Sequence, residues 1–270
     1  MHLGLIGYGN ISCALVGILA REHAGVTKFT VLSPREAGRT PGVALAADPA
    51  GRAQAVGTVA ELIEAGPDLV IECAGHAAVR SHATAVLRAG IETVIVSVGA
   101  LADDALYAEL VRAAQAGGTR FVLPAGAIGG IDLLSALRAS GITSVIYNGR
   151  KPPMAWIGTP AEDLVDLATL TAEAVFFSGT AREAALRYPK NANVAATLAL
   201  AGIGWEQTQV RLIADPAVTR NVHEYTVVAG AAEYSMRIEG LPSPDNPKTS
   251  ITTAYSVVRE VMNRMGAVVI

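Results

Sequence analysis

The sequence predicts an α/β protein in two parts: an N-terminal, doubly wound parallel sheet and a second α+β domain with a mostly antiparallel sheet. Three observations lead there. The first 124 residues alternate short apolar runs with amphipathic stretches, the pattern of buried parallel strands joined by helical crossovers. A glycine pair, Gly7-Tyr8-Gly9, stands between the first apolar run and the first helical stretch, which makes the first domain Rossmann-type. After Pro124 the grammar changes to period-2 segments separated by turn residues.

Taken in order, strands are expected at Leu3–Ile6, Lys28–Leu32, Leu69–Cys73, Thr93–Val98 and Arg120–Leu123, with helices at Ala77–Ala89 and Asp103–Ala116. Beyond Pro124 a helix over Ile128–Ala139 precedes strands at Ser144–Asn148, Ala172–Phe177, Gln207–Ile213, Asn221–Val228 and Ala232–Ile238. The last two are joined by Ala229-Gly230-Ala231 as a hairpin would be. The uncharged run from Asn191 to Trp205 falls short of the ~20 residues a membrane span needs, and reads as a buried core helix. Leu241-Pro-Ser-Pro-Asp-Asn-Pro247 reads as a stiff connector, and Lys248–Met265 as a final helix returning to the first domain. The expected divisions are 1–124 for dinucleotide binding, 125–240 for substrate and catalysis, and 241–270 for connector and C-terminal helix.

Composition narrows the function. Of 270 residues 51% are hydrophobic and 17% charged, ample for a core, and the net charge of −3 sets up no field that would draw in nucleic acid or an anionic membrane. The two cysteines, Cys13 and Cys73, lie far apart without metal-like spacing, which favours a reducing, cytoplasmic setting and no metal site. Because the chain opens directly into a strand, no signal peptide is expected.

The residues that carry chemistry cluster at strand ends. Gly7, Gly9, Asn10 and Ile11 open the first helix, where free backbone N–H groups and the helix dipole suit a pyrophosphate. The third small position holds Ser12 instead of glycine or alanine. At the end of the second strand, where an acidic residue would bind the ribose 2′-hydroxyl of NAD, the chain reads Leu32-Ser33-Pro34-Arg35, with Arg39 soon after. Ser33 and Arg35 suit a 2′-phosphate, so NADP is expected to serve at least as well as NAD; as solvated loop charges the arginines would do neither. Cys73-Ala-Gly-His76 and Ser97-Val-Gly-Ala100 follow later strands at the edge where such sheets bind ligands. His76 is placed for substrate binding or catalysis, or as a cap or wall of the helix beside it, while Cys73 is expected to pack.

At this point the chain resembles the L-aspartate dehydrogenase family nearly end to end. The carrying stretches are Leu3-Gly-Leu-Ile-Gly-Tyr-Gly-Asn-Ile11, Ile71-Glu-Cys-Ala-Gly-His76, Leu123-Pro-Ala-Gly-Ala-Ile-Gly-Gly-Ile-Asp132, Arg150-Lys-Pro-Pro153, Tyr188-Pro-Lys-Asn-Ala-Asn-Val-Ala195 and Asn221-Val-His-Glu224. The resemblance implies reversible oxidative deamination of L-aspartate to iminoaspartate, then oxaloacetate and ammonium, with NAD or NADP as cofactor, in a role that feeds NAD biosynthesis. It further implies that Ala127 and Asn193 contact the cofactor and that His223 is the active-site residue. A homodimer is expected.

The residues themselves agree with that assignment. Strand alternation puts His223, Tyr225 and Val227 on one face and Glu224 and Thr226 on the other. An ordinary histidine, with a pKa near 6.5, could exchange protons near neutrality; the alternative is a buried, hydrogen-bonded histidine without chemistry. Lys190, just before an apolar helix, suits one carboxylate of a dicarboxylic substrate, or is a surface charge; Arg150-Lys151 is a second candidate. Two competing readings share the plan: a reductase like dihydrodipicolinate reductase, whose paired-histidine and lysine signature is absent here, and a non-catalytic NADP-sensing protein.

Overall fold

Six parallel strands form the first sheet: β1 (His2–Ile6), β2 (Lys28–Leu32), β3 (Ala53–Val56), β4 (Leu69–Glu72), β5 (Thr93–Ile95) and β6 (Phe121–Val122), in the order β3-β2-β1-β4-β5-β6. The computed structural model describes residues 1–22, 25–37, 48, 51–189, 192–243 and 246–270, and for residues 22, 242–243 and 246–249 the backbone alone. Two compact units emerge, one of Met1–Pro124 with Ala254–Ile270, the other of Ala125–Thr253.

In the first unit the order of the strands reverses at β1 and β4, the switch point at which doubly wound sheets open a crevice at their carboxyl ends. β1 and β4 are buried along almost their whole length because helices cover both faces, so their apolar runs were legible as strands. β3 was not expected. It is a four-residue edge strand with Gln54 exposed, too short and too mixed to stand out as an apolar run. β5 ends at Ile95, short of the expected Val98, because Val98–Ala102 coils into a 3-10 turn. The helix expected after β4 starts at His76 and contains a π turn over Val79–Ala83. One layer of core joins Ile6, Leu32, Leu62, Val70 and Val86.

The C-terminal helix (Thr252–Met265) buries Ala254, Val257, Val258 and Val261 within this unit. Arg264 pairs there with Glu92, which also takes a hydrogen bond of 3.0 Å from Arg120 Nε. The helix begins at Thr252, later than the expected Lys248, because Asn246–Ser250 pairs with Pro242–Ser243 as a short antiparallel ladder; the expected connector is therefore partly strand.

The second unit holds a five-stranded sheet of β7 (Ile142–Lys151), β8 (Ala174–Thr180), β9 (Thr208–Ala214), β10 (Asn221–Ala229) and β11 (Glu233–Gly240), in the order β11-β10-β7-β9-β8. Three of its four pairings are antiparallel, and β7 runs parallel to β9. That parallel pair follows from the chain between them, which lays down β8 and two helices (Ala181–Arg187 and Asn193–Ala201) before returning. The β10–β11 hairpin closes through Ala229 N–H donating to the Ala232 carbonyl. Val145, Tyr147, Val210, Leu212, Tyr225 and Val227 form the buried face of the sheet. Among the described residues no helix is long and apolar enough to cross a membrane.

Candidate active site

In the first unit the turn after β1 has the geometry a phosphate cradle needs. Gly7 adopts φ +93°, and a Cβ there would lie 2.6 Å from that of Ala74, so only glycine fits. Around Gly9, its chain neighbours apart, no heavy atom of the described residues lies within 4 Å of where a Cβ would stand. The protein's own packing leaves that space open, beside the N-terminus of the 13-residue helix Asn10–Glu22, and it fits the approach of a pyrophosphate to the backbone. Ile11 lies in the first turn of that helix. Ser12 is fully buried, with its hydroxyl donating to the Gly7 carbonyl at 2.8 Å and lying 3.1 Å from Cys73 Sγ. A serine in place of the third small residue thus braces the turn. Burial pushes the Cys73 thiol up to about 12, so it packs and does not serve as a nucleophile.

At the ribose end, Ser33 N–H donates to the Val56 carbonyl, and Arg35 projects into solvent with 84% of its side chain exposed. The acid absent from the strand end stands a little further on: Glu36, with its side chain 6% exposed, lies 3.6 Å from Arg35 Nε. Arg35 is accessible to an anion, but a carboxylate shares it. Arg39 lies outside the described residues.

Glu72, which the motif reading passed over, ends β4 without any exposure. Its Oε1 accepts from Ala74 N–H and Gly75 N–H, both at 2.8 Å, and from Ser97 Oγ–H at 3.0 Å; its Oε2 accepts from Ser97 N–H at 3.1 Å. One carboxylate therefore holds together the two loops that follow β4 and β5. Burial raises its pKa above the usual carboxylate range, against the pull of those four donors. His76 is the first residue of the helix beyond, half-buried; Gly75 occupies the cap position, so His76 does not cap with its side chain.

In the second unit His223 lies on the buried face of β10 and is 6% exposed, with Tyr225 and Val227 beside it and Glu224 and Thr226 turned away, as alternation required. Its Nδ1 is 2.8 Å from the hydroxyl of Tyr147, which is 1% exposed on the neighbouring β7. Gly149 stands directly across from His223; a Cβ at that position would come within 2.8 Å of Tyr147 Oη. The missing side chain is what lets the phenol reach the imidazole. Burial, and then the nearby Lys151 ammonium, lower the His223 pKa from 6.5 to about 3. The expectation of a histidine titrating near neutrality is overturned: the resting ring is neutral. The stability that comes from its neutrality is fully present above pH 6.5 and is lost as pH falls from there towards about 3.

Tyr225 anchors the loop that carries Ala127, its hydroxyl donating to the Gly129 carbonyl at 2.8 Å; Gly129 in turn faces Met236 and Ile238, and Ile238 pairs with His223. Asn193 begins the helix Asn193–Ala201, and its carbonyl accepts from Thr197 Oγ–H at 3.0 Å. Lys190 lies outside the described residues. Arg150 is committed to ion pairs with Glu173 and Asp215, which removes it as a free substrate cation, while Lys151 is buried with its Nζ 4.9 Å over the Trp156 ring. Tyr147 and Gly149 escaped the sequence because only the register of β7 against β10 puts them at His223. The available signal was a glycine interrupting a β-rich run.

A parallel sheet with an open glycine turn, joined to a sheet domain holding a buried histidine, defines a two-domain dinucleotide-binding protein of the oxidoreductase type. Residues 7–124 match the family model described as homoserine dehydrogenase, NAD binding domain, and residues 132–264 the one described as aspartate dehydrogenase, C-terminal. An L-aspartate dehydrogenase of Polaromonas sp. is 45% identical over 272 residues, covering 100% of both chains. The crystal structure of aspartate dehydrogenase from Thermotoga maritima superposes with a TM-score of 0.77 at 26% identity, covering 100% of this chain and 99% of that one. Dihydrodipicolinate reductase from Paenisporosarcina sp. shares the fold alone, with a TM-score of 0.55 at 11% identity, covering 98% of this chain and 94% of that one. The chain belongs to the L-aspartate dehydrogenase family.

The Glu72 network makes a prediction. Glu72→Gln turns one acceptor into a donor facing N–H or O–H groups, which leaves a buried hydrogen bond unmade. Destabilisation by about 1–3 kcal/mol in denaturant unfolding is expected. An unchanged midpoint would show that the two loops hold without the carboxylate.

Proposed function

We propose that this protein is an NAD(P)-dependent L-aspartate dehydrogenase. The observation that carries the reading is the full-length match to that family; His223, the residue we assign to its chemistry, is buried and hydrogen-bonded. The net reaction converts L-aspartate, NAD(P)⁺ and water to oxaloacetate, ammonium, NAD(P)H and a proton, through iminoaspartate. The nicotinamide, when bound, supplies the hydride chemistry at the substrate α-carbon. The chain's own residues bind, orient and manage water.

In this reading Gly7, Gly9, Asn10 and Ile11 receive the pyrophosphate, Ser33 and Arg35 the ribose or its 2′-phosphate, and Ala127 and Asn193 contact the cofactor. Lys190 and His76 are assigned to the substrate. His223 acts at the reacting carbon, where water adds in deamination and leaves in amination. Its low pKa keeps it uncharged there, so the polarity it offers is that of a neutral imidazole, not of a positive charge.

Three measurements test the proposal. Purified protein should oxidise NADPH or NADH with oxaloacetate only when ammonium is supplied; ammonium-independent formation of malate, or no turnover with either cofactor, would sink it. Arg35→Ala should weaken NADPH binding more than NADH binding, by at most about 1.5–3 kcal/mol and less because the side chain is exposed. Equal changes in the two Kd values would make Arg35 a bystander. His223→Ala should lower kcat by about 10²–10⁴-fold with little change in cofactor affinity. Near-normal kcat in a variant with an unchanged melting curve would remove His223 from the mechanism.

A further inference from the structure

The geometry points to Tyr147 as a positioning residue that holds His223 as its Nε2–H tautomer, so that the ring presents a hydrogen-bond donor to the carbonyl oxygen of a 2-oxo acid substrate. The inference rests on the dehydrogenase reading and goes beyond it by giving the histidine a definite proton arrangement and the tyrosine a role.

Each hydrogen of the Tyr147–His223 pair can be placed in turn. Tyr147 is 1% exposed, and its hydroxyl has one hydrogen-bond partner among the described residues, His223 Nδ1 at 2.8 Å. Burial raises the phenol pKa, so the hydroxyl keeps its proton, and a buried donor must be satisfied inside the protein. If Nδ1–H donated to the phenol oxygen instead, the phenol hydrogen would be left with no acceptor. The bond therefore runs from Tyr147 O–H to the Nδ1 lone pair. A neutral imidazole with its lone pair engaged at Nδ1 carries its one hydrogen on Nε2.

Nε2 is the nitrogen left for chemistry. It makes no hydrogen bond within the described residues. Among the described residues the ring is thus held at Nδ1 by Tyr147 and left unengaged at Nε2. Among the described residues two groups supply polarity or charge to the ring, Tyr147 and Lys151, both from β7; its cross-strand neighbour on β11 is Ile238, which has neither. A cation beside the ring and near-complete burial together oppose an imidazolium.

With its Nε2 already carrying hydrogen, His223 cannot accept a proton there. It can donate a hydrogen bond to an oxygen that gains negative charge, as the carbonyl oxygen of a 2-oxo acid does when ammonia adds to its carbon. The sequence expectation of a proton-shuttling base is replaced by that of a neutral electrophilic donor. Gly149 belongs to the same device, since a methyl group there would displace the phenol.

The test reads the tautomer directly and needs no turnover. In full-length protein labelled with ¹⁵N-histidine, the His223 ring should show a protonated Nε2 and a bare Nδ1, unchanged over about pH 5–8. Tyr147→Phe should give a mixture of the two tautomers, with kcat reduced about 3–10-fold and the Kd for NADPH unaltered. Gly149→Ala should produce the same mixed spectrum with the phenol still present. A wild-type ring protonated at Nδ1, or positively charged at neutrality, overturns the proposal. So does a Tyr147→Phe protein that keeps the pure Nε2–H tautomer. If Tyr147→Phe fails to fold, the wild-type spectrum alone decides. If the wild-type protein shows the expected tautomer but no turnover with oxaloacetate and ammonium, the dehydrogenase reading fails while the tyrosine's role stands.

Discussion

Glu72 is a carboxylate with no access to water, and it holds four hydrogen bonds from two separate loops. Such a group must find every partner inside the protein, since an unmade bond to a buried charge costs far more than a made one returns. The requirement fixes where the loops after β4 and β5 can run. Because β4 lies beside β1, fixing the loop after β4 also fixes the wall facing the glycine turn, where Ala74 leaves no room for a side chain at Gly7.

The second unit obeys the same rule with neutral groups. Tyr147 and His223 are both enclosed in an apolar sheet face, each is polar, and each answers the other across two strands. The geometry works only because Gly149 leaves the space that the phenol crosses. Tyr225, two residues beyond His223, performs a similar service for the loop carrying Ala127. A sheet face built for packing thus carries a row of hydroxyls whose partners are set by register, and the candidate site lies at one end of that row.

Much of this was legible in the linear chain. The β1 and β2 strands, the phosphate turn and the hairpin of β10 and β11 follow from local rules of period and turn chemistry, which act over a few residues. Motifs at six places along the chain pointed to the family, and position 223 within them. What escaped were elements defined by context: β3, whose four residues become a strand only because β2 offers an edge, and Asn246–Ser250, which pair with Pro242–Ser243 instead of opening the last helix. Arg150 looked like a free cation beside Lys151 until the fold brought Glu173 and Asp215 to it from distant segments.

Residue types and their order determined that the chain would form two units of different grammar, with a dinucleotide turn at the first strand and a histidine on the inner face of a late one. Alternation and glycine placement suffice for that, because they depend on backbone geometry alone. The electrostatic character of the site was decided by tertiary structure. A histidine is a titrating base in water and a neutral ring at position 223, because desolvation and the Lys151 charge depend on what packs around it. The partner that orients that ring lies 76 residues away in the chain, and only strand register brings it within 2.8 Å.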